Sequence, residues 1–338
     1  MNRAASIPLL RRLVAADALR LDEAKQMERR IRGDLPWRLW LDRGLLVLGV
    51  ALIVVGIGYF FAHNWQHLTE NDKLGLAGGS VLAAFVGALY AGMDRFLGKL
   101  LLLAASMLVG VFIAVFGQIY QTGADTYELF QAWALLIFPW VVLGRFVPLW
   151  LGWLALINLA IGFYWPISVY VLLGSQQAES CFRYEAISLF ALNLAALSLR
   201  EWAAWAKIAW IDRQWSAWIL LAATLVPATT ETTYEIFRTW DPVTFSGLTL
   251  GAVLAYAVLI FAVAFYFGRV RPSLPALALG TLSACWIATV VATRVVFANN
   301  NGGPISGQWF FMGIFVLAIF GGGVFFLRWV SRVIPSSL

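Results

Sequence analysis

The sequence predicts an all-α fold: a polytopic transmembrane helix bundle of about ten spans behind a short N-terminal cytoplasmic helical segment, with both termini in the cytoplasm. Three observations predict it. First, about ten apolar segments follow one another from Gly44 to Leu327. Second, the chain is 61% hydrophobic and 12% charged, with mean hydropathy +0.79. A soluble domain carries about 25% charged residues, so a water-soluble fold of this size could not cover so much apolar surface. Third, if the segments cross a membrane alternately, 20 of the 24 Lys and Arg fall on one side. Ten lie in residues 1–43, and ten are Arg95, Lys99, Arg145, Arg200, Lys207, Arg213, Arg269, Arg271, Arg328 and Arg332. The other side holds only Lys73, Arg183, Arg238 and Arg294, whereas acidic residues split nine and nine. A Lys/Arg bias without an Asp/Glu bias is the positive-inside pattern.

Residues 1–43 read as a cytoplasmic amphipathic segment. Pro8 to Ala16 predicts a short helix with Leu9, Leu10, Leu13 and Val14 apolar and Arg11 and Arg12 polar. Asp22 predicts an N-cap for a second helix through Ile31, which Gly33 and Asp34 stop. Pro36, Trp37 and Trp40 then form an interfacial anchor, because an indole is apolar but keeps a wet N–H. The bundle occupies 44–330, with spans near 44–62, 74–92, 99–119, 128–144, 147–165, 185–199, 214–230, 246–267, 274–297 and 307–327. A crossing takes about 20 residues, so the sixth and seventh are short. Most of the 17 Trp cluster near span ends, and Trp286 is the exception. Pro166 is expected to break or kink the fifth span near its outer end. Arg200 to Gln214 reads as a helix in the inner interface, with Trp202, Trp205 and Trp210 among charges. Thr229 to Phe245 reads as the longest outer loop, carrying Glu231, Glu235 and Asp241, and Asn299–Pro304 is a further loop.

Several function classes are excluded by what the chain lacks. A pI near 9.5 suggests nucleic acid, but no nucleic-acid motif is present, and the basic residues suit the anionic inner leaflet. No nucleic-acid partner is expected. Cys181 falls in a predicted outer loop and Cys285 in mid-span, too far apart in depth for a disulfide. The first apolar stretch starts at Gly44 behind a charged segment and is long enough to span, so no cleavable signal peptide is expected. No serine stands in a nucleophile context, no glycine loop suits phosphate, and no carboxylate sits at the middle of a predicted span. The expectation is a protein that is not an enzyme, needs no cofactor and does not pump protons through a midplane acid.

The densest polar set lies at two outer span ends that are close in sequence. The first holds His63, Asn64, Trp65 and His67; the second holds Gln118, Tyr120 and Gln121, followed by Asp125 and Glu128. Together they form a candidate outer polar cluster. His63 and His67, the two histidines, stand at i, i+4, the spacing of a metal pair on one helical face. Without a His-Glu-x-x-His pattern, a polar helix end is the simpler reading, and no metal is assigned. Asp125 and Glu128 have the composition of an acid/base pair, but Asp125 or Thr126 as an N-cap with Glu128 on the helix dipole explains them with less.

Packing signals are of two kinds. Gly75, Gly79, Ala83, Gly87 and Ala91 recur every four residues along the second span, a small-residue stripe that lets a second helix approach closely. It is expected to pack internally, with a homodimer interface as the alternative; Gly247 and Gly251 begin a shorter version. Asn158, Asn193, Thr224, Thr249, Thr281 and Thr289 lie deeper and are expected to bond across helices. Arg294, about a turn from its helix end, is expected to snorkel or to meet a lipid phosphate.

Three stretches carry a family resemblance: Ala18-Leu19-Arg20-Leu21-Asp22-Glu23-Ala24, Ala62-His63-Asn64-Trp65-Gln66-His67-Leu68, and Gly117-Gln118-Ile119-Tyr120-Gln121 through Tyr127-Glu128-Leu129-Phe130-Gln131-Ala132-Trp133. In these the chain resembles the bacterial membrane proteins grouped as domain of unknown function 2157, over about residues 15–165. The resemblance implies a multi-pass bacterial inner-membrane protein and transfers no activity. Two function classes follow from the residues. One is a transporter or lipid-handling protein with an outer-facing polar cavity that includes Asn64, Gln118, Tyr120 and Asp125. The other is a non-catalytic envelope scaffold or regulator acting through helix contacts. The expected partners are membrane lipids and a second copy or another membrane protein.

Overall fold

A computed structural model of the chain describes residues 37–64, 66–173, 178–238, 247–298 and 306–333. The two expected N-terminal helices, Asp241 and the Asn299–Pro304 loop lie outside them. Ten helices follow in order: α1 (Trp37–Asn64), α2 (Glu70–Ala91), α3 (Phe96–Tyr120), α4 (Thr126–Gly144), α5 (Val147–Leu173), α6 (Ala178–Trp205), α7 (Gln214–Arg238), α8 (Gly247–Phe265, running on as a π-helical turn, Tyr266–Val270), α9 (Leu274–Ala298) and α10 (Ser306–Val333). No strand occurs among the described residues. Nine of these helices are long and apolar enough to cross a membrane.

The helices alternate in direction. Gly78 faces Phe112 while Gly87 faces Leu101, which makes α2 and α3 antiparallel. Trp153 meets Ala134 on α4, and Phe163 meets Phe130, so α4 and α5 are antiparallel too. Asn158 pairs with Asn193 and Trp165 with Ser188 between α5 and α6. α1 runs parallel to α3: Arg43 covers the Phe96 ring at one end, and Phe61 packs with Val115 at the other. We call the end at which α1 begins the near end. The alternation puts the turns holding Arg95, Arg145, Lys207, Arg213 and Arg271 there, and the 64–70 and 120–126 turns at the far end.

Five sequence expectations change. α6 and α7 are 28 and 25 residues long, so neither is a short span. The interfacial helix expected over Arg200–Gln214 is absent: α6 continues to Trp205 and residues 206–213 turn tightly, because Arg200 and Glu201 are held inside the bundle by polar partners. The expected outer loop from Thr229 is helix through Arg238 for the same reason, since Glu231 and Glu235 have a basic partner. Pro166 lies inside α5, which runs on to Leu173; Pro139 and Pro227 are likewise internal. Cys181 is in the first turn of α6 rather than in a loop, and both cysteines are buried free thiols.

α7 is the helix that fails the hydropathy test, and packing supplies the reason. It is covered by α6, α8 and α9, and its buried face mixes Leu220, Leu221 and Leu225 with Ser216, Thr224, Thr232 and Glu235. A helix shielded from lipid by protein over much of its surface does not need an apolar surface all round. By contrast α1 and α10 are almost wholly exposed, and their long apolar runs suit direct contact with lipid.

Candidate functional site

The first candidate is a groove between the far-end halves of α1 and α3. It is about 940 Å³ and is lined by Phe61, Val111, Ala114 and Val115 with His63, Gln66 and Gln118. Local sequence builds it: Gly58 on α1 leaves one wall without a side chain, and Phe61 inserts below it against Ala77 and Val115. The polar groups stand at the mouth and the apolar ones form the wall. An amphiphile meets both.

The expected outer cluster is only partly assembled here. His63 and Gln118 line the groove, joined by Gln66, which the sequence reading had left out. Tyr120 is exposed and packs on Phe116, ring centroids 4.6 Å apart. Gln121 ends α3 in the left-handed conformation at φ 44°. Asp125 is the N-cap of α4, and its N–H donates to Glu128 Oε2 at 3.1 Å. That is the capping reading, with Asp125 rather than Thr126 in the role. α1 ends at Asn64, so His67 sits in the following turn and does not share a helical face with His63; the i, i+4 argument fails because the helix stops between them. His63 instead stacks on Tyr59 at 6.1 Å. The side chains of Asn64 and Trp65 lie outside the described residues. Among the described residues no group of His, Cys, Asp and Glu is placed to hold a metal.

The small-residue stripe packs internally only at Gly87, which meets Leu101 of α3. Gly75, Gly79 and Ala83 are exposed, and a methyl built on Gly75 or Gly79 meets nothing within 4 Å. The packed face of α2 carries Ala77, Gly78, Val81, Phe85 and Ala88. Every-four spacing identifies a face, and a helix with one stripe of small residues beside one of mixed size can bury either. Gly247 and Gly251 are similarly open. The glycines that do allow close approach are elsewhere: Gly98 against the Gly92 carbonyl, Gly110 under the Trp133 indole, Gly144 against Leu102 and Gly323 against Cys285.

The second candidate surrounds α7, and the sequence reading missed it. At the near end Arg200, 2% exposed, donates to Ser216 Oγ at 3.3 Å, to the Arg213 carbonyl at 2.8 Å and to Glu201 Oε1. Glu201 Oε2 accepts from Tyr266 at 2.7 Å and from Arg271 at 3.0 Å. Arg271 also reaches Asp212 at 2.9 Å. The π-helical turn thus carries groups at and just beyond its two ends, Tyr266 and Arg271, onto one carboxylate; such turns recur at functional sites. This charge-balanced clasp borders a cavity of about 290 Å³ that Trp218, Phe267 and Ser273 also line. At the far end Arg183 pairs with Glu235, 3% exposed, and lies 3.4 Å from Glu231. Arg294 is 5% exposed and donates to the Ile236 carbonyl at 2.7 Å. It therefore does not snorkel, because the end of α7 offers it an acceptor inside the bundle.

Between the clasps, side chains bond across helices as well as along them. Asn158 and Asn193 exchange amide hydrogen bonds at 3.2 and 2.6 Å, as expected, and Thr249 crosses to the Glu235 carbonyl at 3.2 Å. Thr224, Thr281 and Thr289 instead have bonds to their own i−4 carbonyls. The signal for α7 was present in the sequence: charges flank both ends of the one segment that is rich in threonine.

Apolar helices of spanning length and lipid-suited surfaces define the class: an all-α, polytopic membrane protein. Residues 11–150 match the model of the family described as predicted membrane protein, domain of unknown function 2157 (DUF2157), so the resemblance read from the sequence holds over that stretch. No curated protein and no solved structure matches the chain.

Proposed function

We propose that the protein handles a lipid or small amphiphile, as a transporter or lipid-binding protein and not as an enzyme, through the α1–α3 groove. The groove carries this reading: His63, Gln66 and Gln118 at the mouth meet a polar headgroup while Phe61, Val111 and Val115 meet a chain. Burial of apolar chain contributes about 0.8 kcal/mol per methylene, and the polar mouth fixes depth. The test is photocrosslinking from a benzophenone side chain placed at position 118, with bound lipids identified by mass spectrometry. The reading expects lipid adducts that disappear when the crosslinker is moved to the exposed face of α2. Its partner prediction is Gln118→Leu, which should weaken lipid retention without loss of folded protein; unchanged retention defeats it.

The Lys/Arg asymmetry supports placing the near end, and with it both termini, in the cytoplasm of a bacterial inner membrane. A membrane-impermeant maleimide on intact cells should then label Gly123→Cys and spare Lys207→Cys. One observation favours a second reading, a scaffold or a homo-oligomer: the outward face of α2 at Gly75, Gly79 and Ala83 is flat and uncovered. Gly79→Leu would then dissociate a complex on a native gel, whereas an unaltered complex rules it out.

A further inference from the structure

Trp286 stands away from both ends of its helix, and its surroundings explain it. It stands midway along α9, 54% exposed, beside a groove of about 570 Å³ between α7 and α9. Thr229, Thr230 and Thr233 form the polar wall with Ser283 and Tyr234 beside them; Val226, Leu279 and Leu282 are among the apolar residues that complete it. No charged side chain lines it. In a bilayer a charged headgroup placed here would remain unpaired, at a cost of several kcal/mol, so an occupant is uncharged.

The protons of the threonine and serine hydroxyls and of the indole are all committed. Thr230 Oγ1 donates to the Val226 carbonyl at 2.9 Å, and Thr233 Oγ1 to the Thr229 carbonyl at 2.7 Å. Thr229 Oγ1 donates to the Leu225 carbonyl at 2.7 Å. Its 2.7 Å contact with Ser283 therefore takes its proton from Ser283, and the 2.5 Å contact between Ser283 and Tyr256 takes its proton from Tyr256. The Trp286 indole N–H is spent on Thr233 Oγ1 at 3.2 Å. A hydroxyl offers one donor and two acceptor sites, so the three threonines present lone pairs and no protons to the groove. No bulk water competes for them at this depth.

We infer that the α7–α9 groove binds an uncharged membrane lipid that carries a donating hydroxyl, of the diacylglycerol class. Such a lipid places one O–H donor below headgroup level, opposite Thr230 and Thr233, and its chains run along Val226 and Leu282. The site shares no residue with the α1–α3 groove and stands or falls independently of it.

The test uses the full chain in phosphatidylcholine nanodiscs and two photoactivatable probes with identical chains. One is dioleoylglycerol; the other is its 3-acetyl ester, which lacks the donor. Adducts are mapped by peptide mass spectrometry. One hydrogen bond corresponds to about a fivefold preference, so dioleoylglycerol is expected to label α7 and α9 peptides about fivefold more than the ester. Thr230→Val with Thr233→Val should reduce its labelling to the level of the ester. Thr230→Val alone removes a hydroxyl that bonds only its own helix and so leaves packing intact; it should reduce labelling in part, with an unchanged melting temperature. Equal labelling by the two probes, labelling that maps elsewhere, or undiminished labelling of Thr230→Val each overturns the inference.

Discussion

The two halves of the bundle are fastened by different forces. From α1 to α5, neighbours meet through missing side chains and indole anchors: Gly110 receives the Trp133 ring, whose N–H donates to the Ser106 carbonyl at 2.7 Å, and Trp153 donates to the Ala134 carbonyl at 3.0 Å. From α6 to α10, the central helix α7 is gripped at its far end by the Arg183–Glu235 ion pair, at its near end by hydrogen bonds from Arg200 to Ser216 and the Arg213 carbonyl, and in its middle by hydroxyls. Lipid tails are as apolar as a leucine face, so transmembrane helices gain little by burying oil and must use close packing or polar bonds. The N-terminal half uses mostly the first and the C-terminal half adds the second. The difference teaches where each half is vulnerable: the first to added volume, the second to a lost charge.

The sharpest way to break this contrast is Arg200→Leu. It leaves Glu201 without its nearest cation in a buried setting and should lower stability by about 3–5 kcal/mol, read as a drop in thermal unfolding of the purified protein. A loss below that of any packing variant would refute the clasp. Next comes Gly110→Leu, which drives a side chain into the Trp133 ring; overpacking of this kind costs about 1–3 kcal/mol, visible in the same assay and relieved by Trp133→Ala on the same chain. Asn158→Leu tests the seam between the halves. Its pair with Asn193 should contribute about 0.6 kcal/mol and at most about 1.7 kcal/mol, and a double-mutant cycle with Asn193→Leu should return that coupling. Smallest is Gly79→Leu, which meets open space and should leave the melting temperature of the monomer unchanged; a large drop would mean that the stripe is packed after all.

Legibility in the sequence followed the same division. The spans of the first half, the Asp125 cap and the His63–Gln118 juxtaposition were readable because each depends on local hydropathy, local capping or the alternation of ends. Arg200, Glu201, Glu231 and Glu235 were misassigned to an interfacial helix and a loop. A charge in an apolar stretch signals a span end unless a partner exists, and apart from the adjacent Arg200–Glu201 pair the partners here come from 12 to 70 residues away. The first half of the α2 stripe, Gly75 and Gly79, was misassigned for a related reason: periodicity identifies a face but not its neighbour.

By itself the sequence determined the class of the protein and its succession of long apolar helices, because hydropathy and length act on each segment alone. Only the tertiary structure decided which helix is central, which glycines admit a neighbour and which charges are buried. These are properties of pairs of segments, and their energies arise where two surfaces meet.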